Sequence, residues 1–172
     1  MSTIEIPLSK GKFAIIDRED LEFVMRYKWH CRISGKYKST YYAHSGSGGV
    51  LGIKMHTYIL NCPAGMIVDH INGNGLDNRR SNIRICTYQE NAYNRKKPTR
   101  GKSRFKGVHL TKDGKWQVEI KQNKKTIYVG RFSTEIEAAR AYNAKALELH
   151  GEFANLNRGI IPSDFKLVFK WQ

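Results

Sequence analysis

Between residues 116 and 121 the apolar positions Trp116, Val118 and Ile120 alternate with the polar Gln117, Glu119 and Lys121. A period of two predicts a strand with one buried face and one wet face. The runs "FKGVHL" (105–110) and "TIYVGRF" (126–132) predict two further strands. Turns at Asp113-Gly114 and at Gln122-Asn123-Lys124-Lys125 are short enough to make the sheet antiparallel. A helix is predicted next, from Ser133 or Thr134, with a T-x-x-E capping box to Glu137 and Gly151 just past its end. It would pack on the Trp116 face through Ala138, Ala141 and Tyr142. The opposite face, with Glu119, Lys121, Thr126 and Tyr128, is expected to be free.

The pattern upstream is less regular. "GKFAII" (11–16) reads as a short strand. Asp17 offers an N-cap, and Leu21, Val24, Met25 and Trp29 follow at helical spacing, predicting a helix that buries one face. "WHCRI" and "STYYAH" read as two strands around the turn "SGKYK". "SGSGG" (45–49) is a loop, and "IKMHTYIL" (53–60) is a short helix or strand. Residues 66–96 read as strand "MIVDH", long turn "INGNGLDNRRSN", strand "IRIC", then a helix from Thr87, whose partner Glu90 completes a second capping box. Asn91 falls in the second turn of that helix, with Asn94 three residues on.

Charge changes the picture. The 172 residues, enough for one domain or two small ones, carry 30 Lys+Arg against 15 Asp+Glu, a net charge of +15. A chain this basic is expected to meet a polyanion, most commonly nucleic acid. No acid lies between Glu22 and Asp69, although Arg26, Lys28, Arg32, Lys36, Lys38 and Lys54 do. A surface that faces phosphate should shed carboxylates, so one retained beside a histidine points to a task such as holding a cation. The stretch 95–106, "RKKPTRGKSRFK", has seven basic residues and no acid. It predicts a basic linker at 98–103 between two domains. Nothing resembles a signal peptide, and no apolar run nears the roughly 20 residues of a membrane span. Cys31, Cys62 and Cys86 form no C-x-x-C pair, so no zinc is expected, and all three read as core thiols in a reducing cytoplasm.

Asp69 and His70 are where chemistry is expected. Hydrolysing a phosphodiester takes a nucleophile, a base to deprotonate it and positive charge for the leaving oxygen. An imidazole with an ordinary pKa of about 6.5 suits the base. Asp69 suits a hard cation such as Mg²⁺, which takes few protein ligands and completes its shell with water and phosphate oxygens. Asn91 adds a neutral carbonyl oxygen, with Asn94 as the alternative. His56 reads as a packed, hydrogen-bonded residue, and His30, His44, His109 and His150 receive no role.

The run D-H at 69–70, S-N-I-R at 81–84 and N-x-x-N at 91–94 resembles the HNH nuclease motif, the ββα-metal fold, in the branch found in phage and intron-encoded homing endonucleases. Asn82 and Asn91 follow His70 by 12 and 21 residues, as in that branch. The resemblance implies that His70 activates water and that Asp69 and Asn91 hold one Mg²⁺ or Mn²⁺ per site. It further implies that Asn82 holds the hairpin loop and orients His70, and that products carry 5′-phosphate and 3′-hydroxyl. From charge, Arg79, Arg80 and Arg84 are expected on neighbouring phosphates, and Lys96, Lys97, Arg100, Lys102 and Arg104 along the backbone. Many HNH proteins carry zinc-binding C-x-x-C pairs that are missing here, so the N-terminal strands are expected to brace the motif instead.

Residues 104–157, "FKGV…GKWQVEI…YVGRFSTEIEAARAYNAKALELHG…ANLN", resemble the DNA-binding domain of plant ethylene-response factors. That fold lays a three-stranded sheet in the DNA major groove. Glu119, Lys121, Thr126 and Tyr128 are the expected contact residues. His109, Thr111 and Asp113 stand where the plant pattern has Arg, Arg and Trp, so the plant target should not transfer.

The sequence thus predicts an α+β chain. It divides into an HNH unit with extra N-terminal strands and helix (1–97), the linker (98–103), a three-stranded antiparallel sheet packed on one helix (104–157) and a tail (158–172). The expected activity is a metal-dependent homing endonuclease, monomer or homodimer on double-stranded DNA, away from membranes, in a bacterial or phage-infected cytoplasm. The alternative is a non-catalytic, sequence-specific regulator with a vestigial nuclease motif.

Overall fold

The computed structural model describes residues 2–34, 40–46, 52–96 and 101–160. The expected turn at 34–38, the glycine loop at 45–49, the linker and the tail lie partly or wholly outside these residues. The protein is α+β and divides into two compact units, Met1–Asn91 and Ala92–Gln172, the division falling within one helix.

In the first unit, β1 (Thr3–Pro7) pairs antiparallel with β2 (Phe13–Asp17), from Thr3 opposite Asp17 to Pro7 opposite Phe13. The sequence reading found β2 and missed β1. The tight return between them uses Lys10 at φ 63° and Gly11 at φ 59°. The helix expected from Asp17 to Trp29 shrinks to a 3-10 turn, Arg18–Asp20, and one turn of α-helix, α1 (Leu21–Val24). Met25, expected to be buried, is 63% exposed. Trp29 instead opens β3 (Trp29–Ser34), and its indole N–H donates to the Val24 carbonyl at 2.8 Å, satisfying one of the helix's end groups. Nor does Asp17 cap its own turn: its Oδ2 accepts from the backbone N–H of Arg80, 63 residues away. β3 pairs with β4 (Thr40–Ser45), and 53–60 resolves into a short helix, α2 (Met55–Ile59).

β5 (Ile67–His70) and β6 (Ile83–Cys86) form the third hairpin, followed directly by α3 (Tyr88–Tyr93). The capping box starts α3 as expected: the Thr87 N–H and hydroxyl both donate to Glu90 Oε2, and the Glu90 N–H donates to Thr87 Oγ1. Ile16, Val24, Met55 and Ala43 are fully buried at the centre of this unit. Each of the larger three is worth about 1.5–3 kcal/mol of transfer from water. Cys31 and Cys86 are buried and Cys62 only half-buried, so two of the three thiols belong to the interior; all three are free.

In the second unit, β7 (Val108–Leu110), β8 (Trp116–Gln122) and β9 (Lys125–Phe132) form an antiparallel sheet in that order. Asn123 and Lys124 both take positive φ, the type I′ geometry whose twist matches a two-residue hairpin. α4 (Glu135–His150) packs on the sheet, with the predicted Thr134–Glu137 capping box formed and Gly151 at its end. Its buried face runs through Ala138, Ala139, Tyr142 and Ala146; Ala139 takes the place expected of Ala141, which is half-buried. Gly107 sits at φ 73° where a Cβ would come within 2.2 Å of the Tyr142 ring, so only glycine lets β7 approach α4 there.

Candidate active site

β5 ends in Asp69 and His70, both buried. The long turn that follows is built from side-chain amides. Asn72 Oδ1 accepts from the Asn74 N–H and Asn74 Oδ1 from the Leu76 N–H, two successive Asx turns that fold "NGNG" without apolar packing. Gly75 lies where a Cβ would stand 2.4 Å from the Tyr41 carbonyl oxygen and 2.6 Å from the Tyr42 ring. The turn then runs against the outer edge of β2: Ile15 N–H donates to Leu76 O (2.8 Å) and Asn78 N–H donates to Ile15 O (2.7 Å). The N-terminal strands brace the turn in this direct sense.

Asn82 closes the turn. Its Nδ2 donates to Asp77 O at 2.7 Å and to Asn72 Oδ1, while its Oδ1 accepts from the Asn72 N–H. Asp77 is buried and forked by Arg79, whose Nε and Nη2 each donate at 2.7 Å. Those bonds hold its carboxyl below the usual carboxylate range.

The His70 imidazole is met by Asn78, whose Oδ1 lies 3.2 Å from Nε2. Asn78 Nδ2 donates to Leu76 O, which leaves its oxygen towards His70. An amide oxygen only accepts, so Nε2 carries the ring proton and Nδ1 the lone pair. Burial pushes His70 below the ordinary histidine range, against the opposing pull of Asn78, Asp69 and Asp77, and the ring is uncharged at neutral pH. The rings of His56 and Tyr42 lie 4.7 and 5.8 Å from it. His56 is buried, but its Nδ1 has no hydrogen-bond partner, unlike the satisfied histidine expected at that position.

Asp69 faces Arg84 in the β5–β6 register, and Arg84 donates to its Oδ2 from Nε and Nη2. All three arginines expected on phosphates are therefore held by carboxylates: Arg79 by Asp77, Arg80 by Asp20 and Glu19, Arg84 by Asp69. Charge alone does not distinguish these two fates of a guanidinium. Asn91 lies half-buried on α3. Asn94 belongs to the second unit, where its carbonyl accepts from Asn155 Nδ2 at 2.6 Å. Among the described residues, one cluster of acids has ligand atoms close enough to share an ion: Asp17, Glu19 and Asp20. Arg80 already occupies it, through its backbone N–H on Asp17 and its guanidinium on Asp20.

On the second unit, Glu119 pairs with Tyr128 and Lys121 with Thr126 across β8 and β9, making one four-residue block on the sheet. Tyr128 is 57% exposed, and Gln117 Nε2 donates to Glu119 Oε1. Lys96, Lys102 and Arg104 are exposed, while Lys97 and Arg100 lie outside the described residues.

Sequence reasoning missed Asn78, Asp77, Asn72, Tyr42 and the contact of His56 with His70. A signal existed for the loop residues. Four asparagines and an aspartate in 72–82 are more amide and carboxyl groups than two Asx turns use.

Residues 61–93 match the family model described as HNH endonuclease. The chain is 33% identical over 153 residues to the uncharacterized HNH endonuclease L560 of Acanthamoeba polyphaga mimivirus, covering 87% of this chain and 76% of that protein. It is 33% identical over 94 residues to Protein 3.8 of Escherichia phage T7, covering 54% of this chain and 76% of that one. It is also 48% identical over 60 residues to APETALA2-like protein 2 of Oryza sativa subsp. indica; this covers 34% of the chain and only 14% of the rice protein, the extent of an AP2/ERF-like region. No solved structure matches the chain. No helix among the described residues is long and apolar enough to cross a membrane. An Asp–His strand end, an amide-built turn and a viral relative matched over three quarters of its length belong together: the chain is a member of the HNH endonuclease family.

Proposed function

We propose that the chain is a metal-dependent endonuclease of double-stranded DNA, of the homing type, in which the first unit cuts and the second chooses the site. The observation that carries this reading is a buried, uncharged imidazole, His70, next to the buried carboxylate of Asp69 and ahead of a turn whose start and middle Asn82 ties to its end.

The donor set suits a hard divalent ion. Asp69 and Asn91 offer a carboxylate and an amide oxygen, and Mg²⁺ or Mn²⁺ accepts so few protein ligands when phosphate and water supply the rest. Such an ion, when bound, stabilises charge on the phosphate and on the departing 3′ oxygen. His70 takes a proton from the water whose oxygen attacks phosphorus. The P–O3′ bond breaks, the 3′ oxygen gains a proton from solvent, and the ends carry 5′-phosphate and 3′-hydroxyl. β5, β6 and α3 serve as the ββα-metal motif in this reading. Asn82 keeps the turn closed, and Arg84 serves Asp69. Arg79 and Arg80, with side chains 39% and 46% exposed, retain surface for phosphate.

For DNA we assign the nuclease function to 1–97, a basic linker to 98–103, site recognition to 104–157 and a tail to 158–172. Lys96, Lys97, Arg100, Lys102 and Arg104 contribute affinity that falls steeply with salt. Glu119, Lys121, Thr126 and Tyr128 read bases from the sheet.

The test is supercoiled plasmid incubated with the protein and Mg²⁺, or with chelator, beside His70→Ala. The expected result is relaxed or linear DNA only with metal and only with His70, while the variant still binds. Supercoil that persists across metals, with binding intact, would make the protein a DNA-binding regulator instead.

A further inference from the structure

A histidine ring turns about a broad, roughly two-fold torsion, so its nitrogens and carbons can exchange places unless neighbours prevent it. A base needs one chosen nitrogen towards its nucleophile. Two residues outside the family's motif letters remove this freedom at His70. Asn78 is fully buried and fixed three ways: its N–H on Ile15 O, its Nδ2 on Leu76 O and its Oδ1 3.2 Å from His70 Nε2. Turning the His70 ring over would place Cε1 against that oxygen and lose the hydrogen bond.

His56, on α2, meets the His70 ring edge to face, with centroids 4.7 Å apart and planes at 83°. Tyr42 closes the group, 5.6 Å from His56 and 5.8 Å from His70. His56 is 3% exposed. The edge-to-face contact is one that aromatic rings prefer, and it restricts rotation of both.

We infer that Asn78 and His56 are positioning residues for His70: Asn78 selects which nitrogen bears the proton, and His56 holds the plane of the ring. The inference rests on His70 being the base of the proposed nuclease. It connects the base to β2, because the residue that selects the nitrogen is itself hydrogen-bonded to Ile15.

The experiment uses the full chain with ¹⁵N-labelled histidine. Ring-nitrogen shifts report the tautomer, and the His70 signal is assigned by its loss in His70→Gln. The wild type is expected to show His70 protonated at Nε2. Asn78→Leu should populate the Nδ1–H form and lower kcat about 10- to 100-fold, with KM for DNA nearly unchanged. Asn78→Asp keeps an acceptor oxygen and should restore the Nε2–H form. His56→Ala should lower kcat about tenfold and His56→Phe, which keeps a ring there, should recover most of it. Native kcat in Asn78→Leu, or a fall in kcat with the tautomer unmoved, overturns the role of Asn78; native kcat in His56→Ala overturns that of His56. Should Asn78→Leu fail to fold, the wild-type tautomer decides: an Nδ1–H His70 in an active enzyme sinks this inference alone. An Nε2–H His70 in a protein that cuts no DNA sinks the nuclease reading, and with it any catalytic sense of the positioning.

Discussion

Asp69 and Arg84 stand opposite each other across the β5–β6 ladder, and both Nε and Nη2 of Arg84 donate to one oxygen of the Asp69 carboxylate. Their side chains are 7% and 12% exposed, so this is a largely buried ion pair. Breaking such a pair from one side leaves an uncompensated charge, whereas neutralising both sides does not. Arg84→Gln should therefore destabilise the first unit by about 3–5 kcal/mol in urea unfolding, and Asp69→Asn alone should also destabilise it. The double variant Asp69→Asn with Arg84→Gln should recover much of that loss. Additive losses in the double-mutant cycle would show that the two do not interact.

Gly75 permits the turn to touch β4. A Cβ there would meet the Tyr41 carbonyl and the Tyr42 ring, and the carbonyl is backbone that cannot rotate away. Gly75→Ala should cost about 1–3 kcal/mol, the range of overpacked sites. Cleavage should fall with it, because Tyr42 also lies against His70. A thermal melt that matches the wild type would contradict the close approach.

Acid should loosen the first unit before carboxylates titrate. Burial lowers the pKa of His44, His56 and His70 in the fold. In the unfolded chain each titrates near 6.5, so the unfolded state binds protons that the fold refuses. Stability is complete above about pH 6.5 and is lost as pH falls from there towards the lowered values. His56 alone should remove about 2 kcal/mol between pH 8 and pH 5. His56→Phe should flatten the fall in unfolding free energy over that interval; an unchanged slope would show that His56 is not the group responsible.

The second unit should need residues ahead of its sheet. The Tyr93 ring stacks on His150 at 3.7 Å and 6°, Lys106 Nζ donates to Tyr93 O, and Asn155 Nδ2 donates to Asn94 O. Burial moves Lys106 down to about 8, so its ammonium is partly discharged at mildly alkaline pH. A fragment starting at residue 92 should unfold at higher urea than one starting at 104, by about 1–3 kcal/mol. Tyr93→Ala in the longer fragment should remove part of the gain. Equal midpoints for the two fragments would refute the anchoring.

On the sheet, Tyr128→Ala and Lys121→Ala should each weaken binding to the target site without lowering the melting temperature, since both side chains are exposed. The lysine change should also reduce the salt slope by about one unit. Cleavage positions that keep their sharpness in a double variant would show that the sheet does not select the site.

The features legible in the sequence were those with local causes. The boxes Thr87–Glu90 and Thr134–Glu137 start their helices because both partners lie within one turn. The alternation at 116–121 placed the sheet because burial follows a period of two. Long-range partnerships were not legible. Asp17 reads as a cap by sequence, yet its oxygen goes to Arg80. Met25 fits a helical stripe, but the stripe ends once Trp29 returns its indole N–H to Val24. Arg80 likewise gives no sign in the sequence of its ion pair with Asp20, 60 residues earlier. The surplus of amides in 72–82 marks the loop, but which ring the Asn78 oxygen faces is set only by the fold.

The seam between Ile15 and residues 76–78 has a consequence for engineering. Residues 67–93 make an incomplete cassette when excised, because the segment bearing Asn78 borrows its backbone ladder from a strand some sixty positions earlier. Transplanting this motif into another scaffold would require a host with an open strand edge at that location. A split protein, with 1–20 supplied as a separate peptide, should be switchable by adding that peptide.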